Sequence, residues 1–168
     1  MSLPRSSSPA TAKLLTLLPA VVADVAEQAF FVWAEPCDGK AIAELIAAST
    51  VPGTDAGWLA AHIEFRGASA GTFALQLPMA LARELGAGMA GAPAAEALAD
   101  EQLVDVAGEL ANMLCGALLT RVDRAQQFEL LPPQITQTVG VSRDGGWVEG
   151  TQFFSVNDRP MAVRVASA

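Results

Sequence analysis

From Glu101 to Arg124 apolar residues recur at helical spacing, with Leu103, Val106, Leu110, Leu114, Ala117 and Leu118 in one stripe, and this predicts a long amphipathic helix. Asp100 suits its N-cap, and Arg121 and Arg124 put cations near its C-terminal end, where they complement the helix dipole. Upstream, Val22, Val25, Ala26, Ala29 and Trp33 form the apolar face of another helix, with Pro19 in its first turn and its end before Pro36. The segment Lys40 to Ala48 reads as either a short helix or an irregular strand, and Val51 to Asp55 as a turn. Trp58 to Phe65 and Thr72 to Leu77 alternate with period two around Arg66-Gly-Ala-Ser-Ala-Gly71, which predicts a hairpin. Pro78 opens a helix through Leu85 that should dissolve at Gly86-Ala-Gly88, with a linker over Gly91 to Pro93. After Pro132-Pro133, the stretches Gln134 to Val141, Gly146 to Val156 and Met161 to Val165 read as strands. Turns at Arg143-Asp-Gly145 and Asn157-Asp-Arg159 separate them, so two of these strands should form a second hairpin.

The same sentence is thus written twice: a helix, a connection and a hairpin, with an extra helix between the halves. Hairpin connections predict a largely antiparallel sheet with long helices layered on it, an α+β fold of internally duplicated helix-plus-hairpin units. Residues 1–12, opening on a Ser/Pro-rich run, are expected to be a disordered tail and residues 13–168 a single domain.

Composition narrows the partners. Hydrophobic residues make up 52% and charged residues 17%, with a mean hydropathy of +0.36, so a buried self-association surface, and hence a homodimer, is expected. Sheet edges or the aromatic run Phe30, Phe31 and Trp33 are the candidate contacts. A net charge of −8 with no basic stripe argues against nucleic acid or an anionic membrane surface. The apolar stretch Leu14 to Trp33 is interrupted by Pro19, Asp24, Glu27 and Gln28, so no membrane span or signal peptide is expected and the location should be cytoplasmic. Cys37 and Cys115 lack CxxC spacing and His62 is the single histidine, so reduced thiols, no intrinsic metal and a structural role for His62 are expected.

Advancing roughly 100° per residue, the central helix aligns Asp105, Glu109, Asn112 and Gly116 within about 60°, with Gln102, Thr120 and Asp123 on the same line. A merely solvated face would account for such a row. Yet asparagine and glycine are poor interior helix residues, and a small residue beside a carboxylate and a carboxamide lets another molecule's backbone come close. The row reads as a contact surface carrying chemistry. Aligned on their glutamates, Glu27-x-x-Phe30 of the first helix stands where Glu109-x-x-Asn112 stands in the second, so whatever chemistry the second helix carries, the first has aromatic bulk instead.

The spacing Asp105-x-x-x-Glu109-x-x-Asn112-Met113-x-x-Gly116 resembles the mark of the CheC/CheX-type phosphatases of bacterial chemotaxis, most closely the CheX-like arrangement. Ile63-Glu-Phe-Arg-Gly67 with Gly71 resembles that family's first hairpin, and Leu131-Pro-Pro133 its linker after the active helix. The resemblance implies hydrolysis of the phosphoaspartate of a CheY-like receiver domain in chemotaxis or two-component signalling. The receiver would contribute the phosphoryl group, its Mg2+ and a lysine. Asn112 would orient the attacking water and Glu109 would pair with the lysine, while Asp105 and Gly116 would serve binding. The rival reading is a non-catalytic module that docks a receiver or another signalling protein; a third is an oligomerisation domain.

Overall fold

A computed structural model describes residues 8–49, 57–90, 98–138 and 149–167. In chain order the elements are α1 (Pro9–Phe30), β1 (Ala34–Cys37), α2 (Gly39–Ala48), β2 (Trp58–Gly67), β3 (Gly71–Pro78), α3 (Met79–Ala90), α4 (Asp100–Val122), β4 (Phe128–Leu130), β5 (Gln134–Thr138), β6 (Thr151–Val156) and β7 (Arg159–Ser167). The strands form one antiparallel sheet in the order β1-β6-β7-β3-β2-β4, with β5 also paired to β2.

That order carries the duplication. Counted outward from the central β7/β3 pair, β6 matches β2, and β1 matches the β4–β5 pair. Each half supplies a helix, an edge strand and a hairpin, but each edge strand pairs with the other half's hairpin: β1 with β6, and β4 and β5 with β2. The halves are therefore interlocked and share one core, which α1, α3 and α4 build against one face of the sheet. Leu59, Ala61, Ile63 and Phe65 of β2 and Phe73, Leu75 and Leu77 of β3 are buried there. On the opposite face α2 covers one end, where Ile42 and Ile46 meet Trp58, Phe153 and Ala162. His62 lies exposed on this outer face.

Several boundaries differ from the sequence reading, each for a local reason. Helix α1 begins at Pro9, so Pro9–Ala12 belong to the fold and not to a tail. Ser8 is its N-cap, its Oγ accepting from Thr11 N–H at 3.1 Å and donating to the Ser167 carbonyl at 3.0 Å, which ties the helix start to the last strand. Pro19 is inside α1, not in its first turn. A proline there leaves the carbonyl four residues earlier without its helical donor. The carboxamide of Gln152 replaces it, donating to the Leu15 carbonyl at 3.0 Å. Lys40 to Ala48 is helical, because Asp38 caps it by accepting from Ala41 N–H at 2.8 Å. Helix α3 runs past Gly86 instead of stopping there: a Cβ at Gly86 would lie 2.8 Å from both Leu98 Cδ1 and Val106 Cγ2, so that glycine serves close packing on α4. The expected turns at Val51–Asp55 and Arg143–Gly145, the Gly91–Pro93 linker and the strand positions 139–141 and 146–148 lie outside the described residues. The β6–β7 hairpin is present, with Asn157 (φ 49°) and Asp158 (φ 61°) at its turn, as a primed turn requires.

Helices α1 and α4 are long and apolar enough to cross a membrane by length and composition, yet here their apolar stripes pack on the sheet. The C-terminal turn of α1 holds Phe31 in the left-handed region (φ 57°), which costs a non-glycine residue on the order of 1–2 kcal/mol. Phe30 is buried, whereas Phe31 and Trp33 are exposed by 82% and 73%, so Trp33 is not part of the buried face. Just before β1 the Trp33 carbonyl accepts from Asn157 N–H at 2.9 Å, and strand alternation then turns the nitrogen of Pro36 toward the free edge. Having no N–H, Pro36 blunts that edge against further strand pairing.

Candidate functional site

Helix α4 buries Leu103, Ala107, Leu110, Ala111, Leu114, Cys115, Leu118 and Leu119 against the sheet and its neighbours. The face opposite must then meet solvent. It carries Asp105 and Glu109, both exposed, and Asn112 and Gly116, both half-exposed, so the structure brings all the expected site residues together on one ridge. Residues three and four apart on a helix hold their Cβ atoms roughly 5–6 Å from each other, which sets the spacing of the carboxylate and carboxamide.

Both ends of the helix are fixed by other members of the row. Ala99, not Asp100, is the N-cap residue; it lacks a capping side chain, and the Gln102 carboxamide instead accepts from Ala99 N–H at 2.8 Å. Arg83 of α3 adds a 2.6 Å bond to the Leu98 carbonyl and a 3.5 Å ion pair to Asp100. Thr120 returns its hydroxyl to the Gly116 carbonyl at 2.8 Å, and Arg121 pairs with Asp24 of α1. Gln102 and Thr120 thus serve the helix. Among the described residues the side chains of Asp105, Glu109 and Asn112 make no hydrogen bond or ion pair, which leaves them free to meet a partner.

The flanks are shaped by glycines. A Cβ on Gly108 would meet Pro133 Cγ at 3.4 Å, so the Leu131-Pro-Pro133 linker lies along the helix on the flank that bears Asn112 one turn later. A Cβ on Gly116 would meet nothing within 4 Å, so the ridge is open just beyond Asn112. Cys115, one position away, is 1% exposed, and burial pushes its thiol up to about 12. It is a core side chain. Cys37 is also raised, by burial first and then by Asp38 and Glu35. Among the described residues no three His, Cys, Asp or Glu side chains gather as a metal-binding group.

The corresponding place on α1 is different in kind. Phe30, the counterpart of Asn112, is 2% exposed and packs with Leu85, Leu110 and Leu114. Among the described residues the polar ridge of this type therefore belongs to α4 alone, and the aromatic surface of α1's end, Phe31 with Trp33, went unseparated from Phe30 in the sequence because all three look alike as apolar residues.

Comparison with known proteins follows the same lines. Residues 59–152, more than half of the chain and including all of α4, match the family described as chemotaxis phosphatase CheX. Among solved structures, the chemotaxis protein CheX from Vibrio vulnificus superposes with a TM-score of 0.68 at 18% identity, covering 96% of this chain and 100% of that one. A putative chemotaxis protein from Desulfovibrio vulgaris Hildenborough gives 0.60 at 14% identity, covering 98% and 100%. Thermotoga maritima FliY gives 0.58 at 12% identity, covering 98% and 93%. At such identities the likeness establishes the shared fold. A search of curated proteins returns no match.

Proposed function

The chain belongs to the chemotaxis phosphatase CheX family, and from that premise we propose that it hydrolyses the phosphoaspartate of a CheY-like receiver domain in the cytoplasm. The observation that carries the reading is the pair of uncommitted side chains, Glu109 and Asn112, one turn apart on the outward ridge of a helix whose other face is locked in the core. A convex ridge of this kind suits entry into a cleft on another protein.

The chemistry asks little more of this chain. In an acyl phosphate the leaving group is a carboxylate, a weak base, so no general acid is needed to protonate it. Water attacks phosphorus, the bond from phosphorus to the aspartyl oxygen breaks with its electron pair going to the carboxylate, and the water's proton passes to phosphate or solvent. Positioning and charge neutralisation dominate such a transfer. The Asn112 carboxamide, both donor and acceptor, holds the water in line; Glu109 pairs with the receiver's lysine; the receiver supplies the phosphoryl group and its own Mg2+. Asp105 adds a further anionic contact at the rim, and Gly116 leaves room for the receiver's backbone. The protein works as a homodimer joined through the β4–β5 edge, since Pro36 blunts the other; light scattering giving only a 17.4 kDa species at micromolar concentrations would refute this.

The test is dephosphorylation of the CheY-like receivers of the same cell, each loaded with acetyl phosphate, at limiting and saturating concentrations. Asn112→Ala should lower the saturated rate about 100-fold, roughly 2.7 kcal/mol of transition-state stabilisation, with folding unchanged. Glu109→Ala should chiefly raise the receiver concentration needed. Equal rates for Asn112→Ala and the parent would replace the enzyme by a receiver-docking module.

A further inference from the structure

Asn112 does not stand at the apex of the α4 ridge. Counted from Glu109 it lies about 60° round the helix, on the side of Gly108 and away from Leu110 and Leu114, which pack with Phe30 and Leu85. That side of α4 is lined by a returning segment of the chain. Gly108, one turn before Asn112, is buried, and a Cβ on it would meet Pro133 Cγ at 3.4 Å and Ile135 Cδ1 at 3.7 Å. Leu119, two turns after Asn112 on the same side, is 2% exposed. Between these covered positions Asn112 stays half-exposed. The chain leaves α4 at Val122 and comes back through β4, so it runs from the C-terminal end of the helix toward Gly108. Asn112 is about 6 Å along the axis from Gly108, a distance that an extended chain covers in about two residues, so Leu131 and Pro132 stand abreast of it.

This stretch is stiff. Pro132 and Pro133 have fixed φ and no N–H, and Leu131 is anchored from the other side, its N–H donating to the Glu64 carbonyl at 2.9 Å. Pro132 is exposed and Leu131 half-exposed, so apolar surface meets solvent beside the carboxamide. Strand pairing needs donors that the two prolines lack, so a second copy joined along this edge would be held by β4 and β5 and not by these residues.

The occupant follows from Asn112. A water held by its carboxamide in line with phosphorus puts the phosphoryl group over the notch between α4 and the linker, so the body of the receiver leans to this side of the ridge. A standard protein interface of about 800 Å² per partner has a radius of roughly 16 Å, and the linker, touching the same helix one turn from Asn112, falls inside it.

We infer that Leu131 and Pro132 form a rigid shoulder on which the receiver domain seats beside Asn112, and that this shoulder sets which receivers are accepted. The inference rests on the receiver-phosphatase reading and adds the orientation of the partner, over the linker and away from the ends of α1 and α3. A contact that is already ordered loses little entropy on binding, and the matching surface of the receiver is apolar.

The experiment compares the parent with Pro132→Arg, Pro132→Ala and Gln28→Arg, the last at an exposed position on α1, which packs on the other side of α4. The readings are dephosphorylation across receiver concentrations, binding to receivers carrying beryllofluoride, thermal melting and light scattering. Pro132→Arg overpacks the contact and should raise the half-saturating receiver concentration at least about 10-fold, while Pro132→Ala, which removes only the ring, should raise it about 3-fold. Binding of the beryllofluoride form should weaken to match, and Gln28→Arg should change neither reading. Saturated rate should fall by less than half-saturation rises, the reverse of Asn112→Ala. Melting temperatures should hold within about 4 °C, since both positions are exposed; if Pro132→Arg folds poorly, Pro132→Ala decides by the same readings. Unchanged half-saturation and binding in both Pro132 variants, with an active parent, overturns the inference and leaves the phosphatase reading standing. Equal weakening by Gln28→Arg overturns it too, because added charge and not the linker is then responsible. Conversion of a dimer to a monomer with receiver binding unchanged overturns it in favour of a second copy on the shoulder. A parent that neither hydrolyses nor binds any receiver removes the phosphatase reading itself.

Discussion

Gly116 lies well inside a helix that runs from Asp100 to Val122, where glycine is about 1 kcal/mol less favourable than alanine. A Cβ there meets nothing within 4 Å, so Gly116→Ala gains the helix propensity with no steric cost and should stabilise the fold by about 1 kcal/mol. For a chain of this length that is roughly 2–4 °C in melting temperature. Gly86 provides the contrast: its added Cβ would stand 2.8 Å from Leu98 and Val106, so the same substitution there should destabilise by about 1–3 kcal/mol. If Gly116 is instead a place where a receiver's backbone approaches, the added atoms overpack that interface. Overpacking of about 1–3 kcal/mol raises the half-saturating receiver concentration about 5- to 150-fold, with Gly116→Gln worse than Gly116→Ala. Thermal melting and receiver dephosphorylation, measured on the same preparations, should therefore move in opposite directions. A Gly116→Gln protein that is both more stable and fully active would show that no partner needs this gap, and a lowered melting temperature would show that the ridge is not open.

Leu114, 1% exposed and packed against Phe30, Leu85 and Leu110, should cost about 2–5 kcal/mol on substitution by alanine, read from the urea midpoint, with loss of activity only as the protein unfolds. Cys115, whose thiol is pushed from the ordinary 9.0 up to about 12 by burial, favours its neutral form on folding. Its contribution to stability is whole below about pH 9 and lost as the pH rises toward 12, so denaturant melts between pH 8 and 11 should fall less steeply for Cys115→Ala, and iodoacetamide at pH 8 should leave the folded thiol unlabelled.

The sequence by itself determined which faces are apolar, and with them most elements. The 3.6-residue period of Leu103, Leu110, Leu114 and Leu118 and the period-two alternation from Trp58 to Phe65 are local properties that burial then enforces. The ridge of Asp105, Glu109, Asn112 and Gly116 was legible for the same reason, since residues on one helix need no tertiary information to be placed side by side. Tertiary structure decided what depends on distant partners. Pro19 looked like a helix start because nothing local supplies the donor that Gln152 brings from β6. Gly86 looked like a helix end because its reason, the closeness of Val106 and Leu98, lies on α4 and just before it. The short edge strands β1 and β4 carry little pattern and exist because β6 and β2 hold them in register. Phe30, Phe31 and Trp33 are equally apolar as letters; only the left-handed turn at Phe31 sends the first into the core and leaves the other two in solvent.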